Sequence, residues 1–155
     1  MIERVKLFIE KNIKLLDKGD FEKLYDRIDP AYVPNLTKIL LDAHIDPLPH
    51  MEHIPSSMYE RLDISRISTP SNIESIGLSA FHGCVHLKSA VFASGLAIIE
   101  DAAFLQCLRL KRIVLPDTLQ VIGELAFMEC PITSPLVFPS DLTKIKKWHS
   151  ETVQV

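Results

Sequence analysis

Glycine and tryptophan are scarce in this chain, with five and one among 155 residues. No Gly-rich phosphate-binding loop is present, and no serine stands in GxSxG. A dominant charge is missing too. Seventeen basic side chains face twenty acidic ones, giving a net charge of −3, so there is no polybasic run to neutralise phosphates and no acidic block to imitate a nucleic-acid backbone. Nucleic acid is excluded as an expected partner. Long apolar runs are also lacking. The opening MIERVKLFIEKNIKLL interleaves Glu3, Arg4, Lys6, Glu10 and Lys11 with its apolar residues, a pattern that fits neither a secretory signal nor a membrane span. The expectation is a cytoplasmic protein without a membrane partner. Cysteine is limited to three residues, an odd number that argues against a disulfide framework.

What is present is a core-forming composition, 47% apolar, arranged at a fixed interval. Ala80-Phe81, Ala103-Phe104 and Ala126-Phe127 recur every 23 residues (104 − 81 and 127 − 104), each followed by a cysteine: Cys84, Cys107 and Cys130. Leu96, Leu119 and Leu142 form a second column, Ile76, Ile99, Ile122 and Ile145 a third, and Ile64, Leu87 and Leu110 a fourth. A self-similar period of this length signals a repeat architecture, in which each coil buries its apolar face only against a neighbour. The segments from Leu87 to Phe92 and from Leu110 to Leu115 fit LxxLxL, with a strand at the end. Ile64, Ile67 and Thr69 begin that pattern, and Thr133, Leu136 and Phe138 continue it more weakly.

Ahead of the repeat, Ile2, Val5, Phe8, Ile9, Ile13 and Leu16 fall at helical spacing. Asp20 is placed to cap a second helix carrying Phe21, Leu24, Tyr25 and Ile28, stopped by Asp29-Pro30. A third helix is predicted from Pro34 or Asn35 to about His44. Pro47, Pro49 and Pro55 make 44–55 a stiff connection, after which Ser56 or Ser57 opens one helical turn through Met58, Tyr59 and Leu62.

IESIGLSAFHGCVHLKSAVF and LQVIGELAFMECPITSPLVFP resemble the BspA-like leucine-rich repeats, whose running pattern is an IG, then AF, then a cysteine, then a leucine leading into a strand. The resemblance covers residues 64 to about 145. Glu100 departs from the glycine at Gly77 and Gly123, Ala93 from proline, and Thr133 from leucine; the fourth Ala-Phe is gone at His149-Ser150. The fold implied is an α+β solenoid in which a helical N-terminal subdomain (1–62) caps a short leucine-rich repeat coil (63–145) with a parallel concave sheet, closed by a C-terminal cap or tail (146–155). A helical segment ahead of a few such repeats is similar to chains of bacteria and their phages, which implies a phage-type inhibitor of a host defence protein as one specific role.

Candidate chemistry loses to plain structure at each cluster. Three cysteines in one repeat column spread along an axis, whereas zinc needs ligands converging on a point. His82, Cys84 and His86 lack a second ligand pair, and His50, Glu52 and His53 do not have HExxH spacing. No metal, cofactor or catalytic residue is expected. The partner-binding candidates are residues that LxxLxL leaves facing outward: Ser68, Val91, Val114 and Val137 in one row, Ser89, Arg112 and Pro135 beside them, Lys88 and Lys111 flanking. The same valines are what strand propensity alone would select. Four strands of five residues cover on the order of 320 Å², below the roughly 800 Å² per partner of a standard interface, so helical residues such as Tyr32 and Tyr59 are expected to join. Trp148 is the natural lid of the last coil or the centre of an end-to-end homodimer. The function expected is binding of another protein, with a self-assembling structural unit as the alternative, in a monomer or dimer that is not an enzyme.

Overall fold

In the computed structural model, residues 2–12, 14 and 20–146 are described. Among the described residues three helices are laid out ahead of the repeat: α1 (Ile2–Lys11), α2 (Phe21–Arg27) and α3 (Val33–Asp42), the last entered through a short 3-10 turn at Pro30–Tyr32. Asp20 sits at the start of α2 as predicted but does not cap it; its carboxylate instead holds Lys23 at 2.7 Å. A side-chain cap is made at the 3-10 turn ahead of α3, where Asp29 Oδ1 accepts from the Ala31 N–H at 2.9 Å. Val5, Phe21, Leu24, Tyr25, Ile28, Leu36 and Leu40 are buried, in one cluster continuous with the repeat core. Tyr25 donates to Thr37 Oγ1 at 2.8 Å, and Thr37 in turn donates to the Val33 carbonyl, so the buried hydroxyl pair is fully used. Of the predicted α1 stripe, Ile13 and Leu16 lie outside the described residues.

The repeats build two parallel sheets. One has five strands in the order β1 (His53–Ile54), β3 (Ser75–Ile76), β5 (Ile98–Ile99), β7 (Val121–Ile122) and β8 (Lys144–Ile145). The other has three: β2 (Arg66–Ser68), β4 (Ser89–Val91) and β6 (Arg112–Val114). Ile76, Ile99, Ile122 and Ile145 are register partners, as their column requires. The coil therefore carries two sheets where the sequence predicted one.

The third side of each coil is a ladder without strands. Phe81 donates its N–H to the Ala103 carbonyl and Phe104 to that of Ala126, both at 2.7 Å; Gly83 and Gln106 donate to Leu105 and Met128. In the first two rungs successive alternate N–H groups point to the next coil because Ser79, Gly83, Ala102 and Gln106 take positive φ between 54° and 68°, a conformation that Leu125 and Glu129 repeat. Outside glycine that conformation costs on the order of 1 kcal/mol, offset here by the bond each N–H makes or by the core it closes. Inside the ladder the rings stack: Phe81 on Phe104 at 4.7 Å, Phe104 on Phe127 at 5.3 Å, with interplanar angles of 5° and 9°.

The stack reaches further back than the visible period. Tyr59 stacks on Phe81 at 4.9 Å and 4°, and its N–H donates to Ala80. Met58-Tyr59 is thus an Ala-Phe unit offset by 22 residues (81 − 59), in a stretch predicted to be an isolated helical turn. His53 and Ile54 likewise form the first strand of the five-stranded sheet within the predicted connection. The helices cover this first coil through Glu22, whose Oε1 accepts the N–H groups of Glu52 and His53 at 2.7 and 3.2 Å.

Gly77 and Gly123 are kept by contact and not by a turn. Neither has positive φ. A Cβ at Gly77 would sit 2.7 Å from Ser56 N, and one at Gly123 2.4 Å from Asp101 N, so the glycines let neighbouring coils approach.

Candidate partner-binding face

The three-stranded sheet alternates as a one-sided sheet must. Ala90 and Ile113 are buried and Ile67 partly so, while Arg66, Ser68, Ser89, Val91, Arg112 and Val114 face outward. Register brings Ser68, Val91 and Val114 into one row, and Arg66, Ser89 and Arg112 into the next. Lys88 and Lys111 precede β4 and β6 and are exposed. Val114 keeps 39% of its surface open to solvent. Four of the predicted residues, Ser89, Val91, Arg112 and Val114, therefore share one face, with Lys88 and Lys111 exposed at its margin.

Pro135 and Val137 do not join it. The chain around them forms no strand, and Val137 is 77% exposed. The reason is local: Pro135 stands where Arg112 stands one repeat earlier, and a proline has no N–H to give a ladder. Ser134 replaces the missing strand by accepting the Ile113 N–H on its Oγ at 3.3 Å. The face has three strands, one fewer than expected. Tyr59 is also withdrawn, because it is buried in the ring stack. Tyr32 is half-buried and accepts a hydrogen bond from Arg4 Nη1 at 3.2 Å. Trp148 lies outside the described residues.

Sequence reasoning missed Arg66. Its signal was available, since 89 − 23 = 66 puts it in the Ser89–Arg112 column. With it the face and its margin hold four cations, Arg66, Lys88, Lys111 and Arg112, and among the described residues none of them is in an ion pair. In a chain of net charge −3 this is a local positive patch around two valines.

The cysteines are structural. Each thiol donates to a carbonyl of the preceding coil: Cys84 to Tyr59 at 2.9 Å, Cys107 to Phe81 at 3.2 Å and Cys130 to Phe104 at 3.0 Å. Burial pushes the Cys84 thiol up to about 12; the hydrogen bond with Cys130 and then burial raise Cys107 as well. The histidines beside Cys84 diverge from it. His86 Nδ1 meets Asp63 at 2.7 Å, and His82 lies near Glu60 and Gln106. Among the described residues no group of three or more His, Cys, Asp or Glu converges as a metal site, and no helix is long and apolar enough to cross a membrane.

A cleft of about 480 Å³ opens beside this face, between the C-terminal end of α3 with the loop after it and β2. Leu41, Ile45, Leu48, Ile64 and Ile67 supply its apolar lining, with Arg66 and Asp46 as charged members. Its α3 wall is fixed by two bonds, from the Ile45 N–H to the Leu40 carbonyl and from the His44 N–H to that of Leu41, with His44 left-handed at φ 59°.

Comparison with known proteins agrees with the repeat. The family model described as BspA type leucine rich repeat region, in 6 copies, matches residues 49–151. The crystal structure of a leucine-rich repeat protein of T. pallidum is similar over 60% of this chain and 44% of that one, at 33% identity and a TM-score of 0.55. A leucine-rich repeat protein from Bacteroides ovatus is similar over 62% of this chain and 31% of its own, at 20% identity and a TM-score of 0.50, a likeness of fold alone. The chain spans less than half the length of either solved structure. No curated protein matches it.

Proposed function

This chain belongs to the BspA-type leucine-rich repeat family, whose repeats serve protein interaction or structure, and from that premise we propose that its three-stranded sheet docks a partner protein. The observation that carries the reading is the set of four cations, without ion-pair partners among the described residues, around the half-buried Val91 and the exposed Val114. A partner complementary to it presents carboxylates around an apolar spot. The action is surface complementarity, with no bond made or broken. A three-stranded face is smaller than the roughly 800 Å² that a stable partner covers, so the adjoining α3 end takes part in the contact. In its narrowest form the reading is a phage-type inhibitor that covers a host defence protein; the resemblance of helices followed by repeats supports that form.

The test is retention of partners from lysate of the native host by the intact protein beside the Val114→Asp, Arg112→Glu double variant. Both substitutions are on the solvent side of the sheet, so the variant is expected to fold. A protein retained by the first, lost by the second and released by raised salt supports the face. Equal retention by both removes it.

A further inference from the structure

The two sheets begin differently. At the first edge of the five-stranded sheet, Glu22 accepts the N–H groups of Glu52 and His53. At the first edge of the three-stranded sheet, no group among the described residues plays that part for β2. The Thr69 N–H donates to Val91 and the Ser65 carbonyl accepts from Lys88, at 3.0 and 2.8 Å. Backbone groups of a strand alternate sides, so residues 65, 67 and 69 turn toward β4, and the N–H and C=O of Arg66 and Ser68 turn outward. Among the described residues no backbone or side-chain group from the helices bonds to either. That side of β2 is the wall of the 480 Å³ cleft, a volume within the roughly 300–1,000 Å³ of ligand pockets.

We propose that the open edge of β2 captures an extended peptide segment of a partner protein, which adds as a fourth strand beside Arg66–Ser68 and seats an apolar side chain in the cleft against Ile45, Leu41 and Ile67. Two outward N–H groups and two carbonyls are what an extended backbone pairs with. The alternation of an added strand sends one side chain into the apolar cleft and the next toward solvent over Arg66 on β2, two strands away from Arg112. The segment is therefore acidic on either side of its apolar anchor. Asp46 lines the cleft and keeps its charge while its Oδ1 accepts the Leu48 N–H at 3.0 Å, so the side chain that enters the cleft is apolar and the carboxylates stay on the Arg66 side. Three residues of edge hold one short segment and offer no template for open-ended stacking. The inference rests on the reading that this chain binds protein, but it uses the edge where that reading uses the face.

A phage-displayed library of random peptides, panned on the intact protein, tests it. Enriched peptides are expected to share an apolar residue flanked by Asp or Glu. Their binding should fall by roughly tenfold or more in Ser68→Pro, which removes one outward N–H at an edge position where proline is tolerated. It should fall likewise in Ile45→Asp, which charges the cleft at a residue already 38% exposed. It should persist in the Val114→Asp, Arg112→Glu variant. In the saturated complex the Arg66 and Ser68 amides should exchange hydrogen more slowly. Absence of enriched peptides, or peptides that bind Ser68→Pro as well as the intact protein, overturns the edge site. Peptides lost only in the Val114→Asp, Arg112→Glu variant also overturn it and leave the face standing.

Discussion

The five-stranded and three-stranded sheets are made by the same repeating unit, yet they meet the rest of the chain in opposite ways. The first is closed where it starts by Glu22, and the cation at its far end, Lys146, is held by Asp101 at 3.1 and 3.3 Å. The second is open at β2 and stopped by Pro135 after β6, and its four cations have no acidic partner among the described residues. Repetition fixes a coil's interior, while what closes an edge comes from residues that do not recur, Glu22 ahead of the repeat and Pro135 within it. Surface that is left unclosed is where binding chemistry has room.

If both sheets hang on one interior, breaking that interior should unfold them together. Phe104 is the place to strike, with a ring on each side and full burial. Phe104→Ala is expected to cost about 3–5 kcal/mol, a large share of the roughly 5–15 kcal/mol that holds a small domain. Urea unfolding followed by circular dichroism checks it. Val114→Asp on the open face should stay within about 0.5 kcal/mol in the same assay.

Alkaline pH probes the interior without mutation. Buried Cys84, Cys107, Tyr25 and Tyr59 all have their ionisation raised in the folded chain, Cys84 to about 12. The unfolded chain ionises its cysteines near 8.5 and tyrosines near 10, so it alone gains charge as pH rises. Stability is then fully present below pH ~8.5, falls as the cysteines of the unfolded state ionise, and falls faster above pH ~10. Urea midpoints from neutral to alkaline pH measure this. A thiol reagent at pH 8 should find no reactive cysteine before unfolding.

The closed edge offers a sharper contrast. Glu22→Ala leaves the Glu52 and His53 N–H groups without their carboxylate acceptor, and hydrogen bonds to a charged group are each worth roughly 1.5–3 kcal/mol when buried. Glu22 is half-buried, which lowers the expected loss to about 1–2 kcal/mol. Hydrogen exchange at His53 and Ile54 should accelerate more than at Arg66 and Ser68. Equal acceleration at both edges would mean that they are closed alike, against the contrast drawn between the sheets.

Which of these features could be read in the amino acids follows from the same division. Columns such as Ile76, Ile99, Ile122 and Ile145 are visible because burial against a neighbour demands the same residue type at the same interval. The first coil hides because Tyr59 and Met58 stand in for Phe and Ala at an interval of 22, among prolines that read as a connection. Gly77 and Gly123 were legible as recurrent but not for their reason, since close approach and a turn ask for the same residue. At the face, the valines and Arg112 follow from strand alternation, whereas the loss of Pro135 and Val137 depends on one missing N–H. The β2 cleft had no local signal, because one wall belongs to α3 and the other to the repeat.

That cleft also permits the smallest test. His44 ends α3 in a left-handed turn, with the Ile45 N–H bonded to the Leu40 carbonyl at 2.9 Å and the His44 N–H to that of Leu41 at 2.9 Å. A glycine takes this conformation without the contact between Cβ and the backbone. His44→Gly is therefore expected to stabilise the fold by about 0.5–1 kcal/mol, the strain of the left-handed residue less the extra freedom glycine gives the unfolded chain. It should leave Ile45 in the cleft wall and peptide capture unchanged, because the two bonds that hold the turn are made by the backbone. A stabilised variant that has lost capture would place the His44 ring among the groups that recognise the peptide, and would turn the open edge from a surface read through backbone alone into one read through a side chain as well.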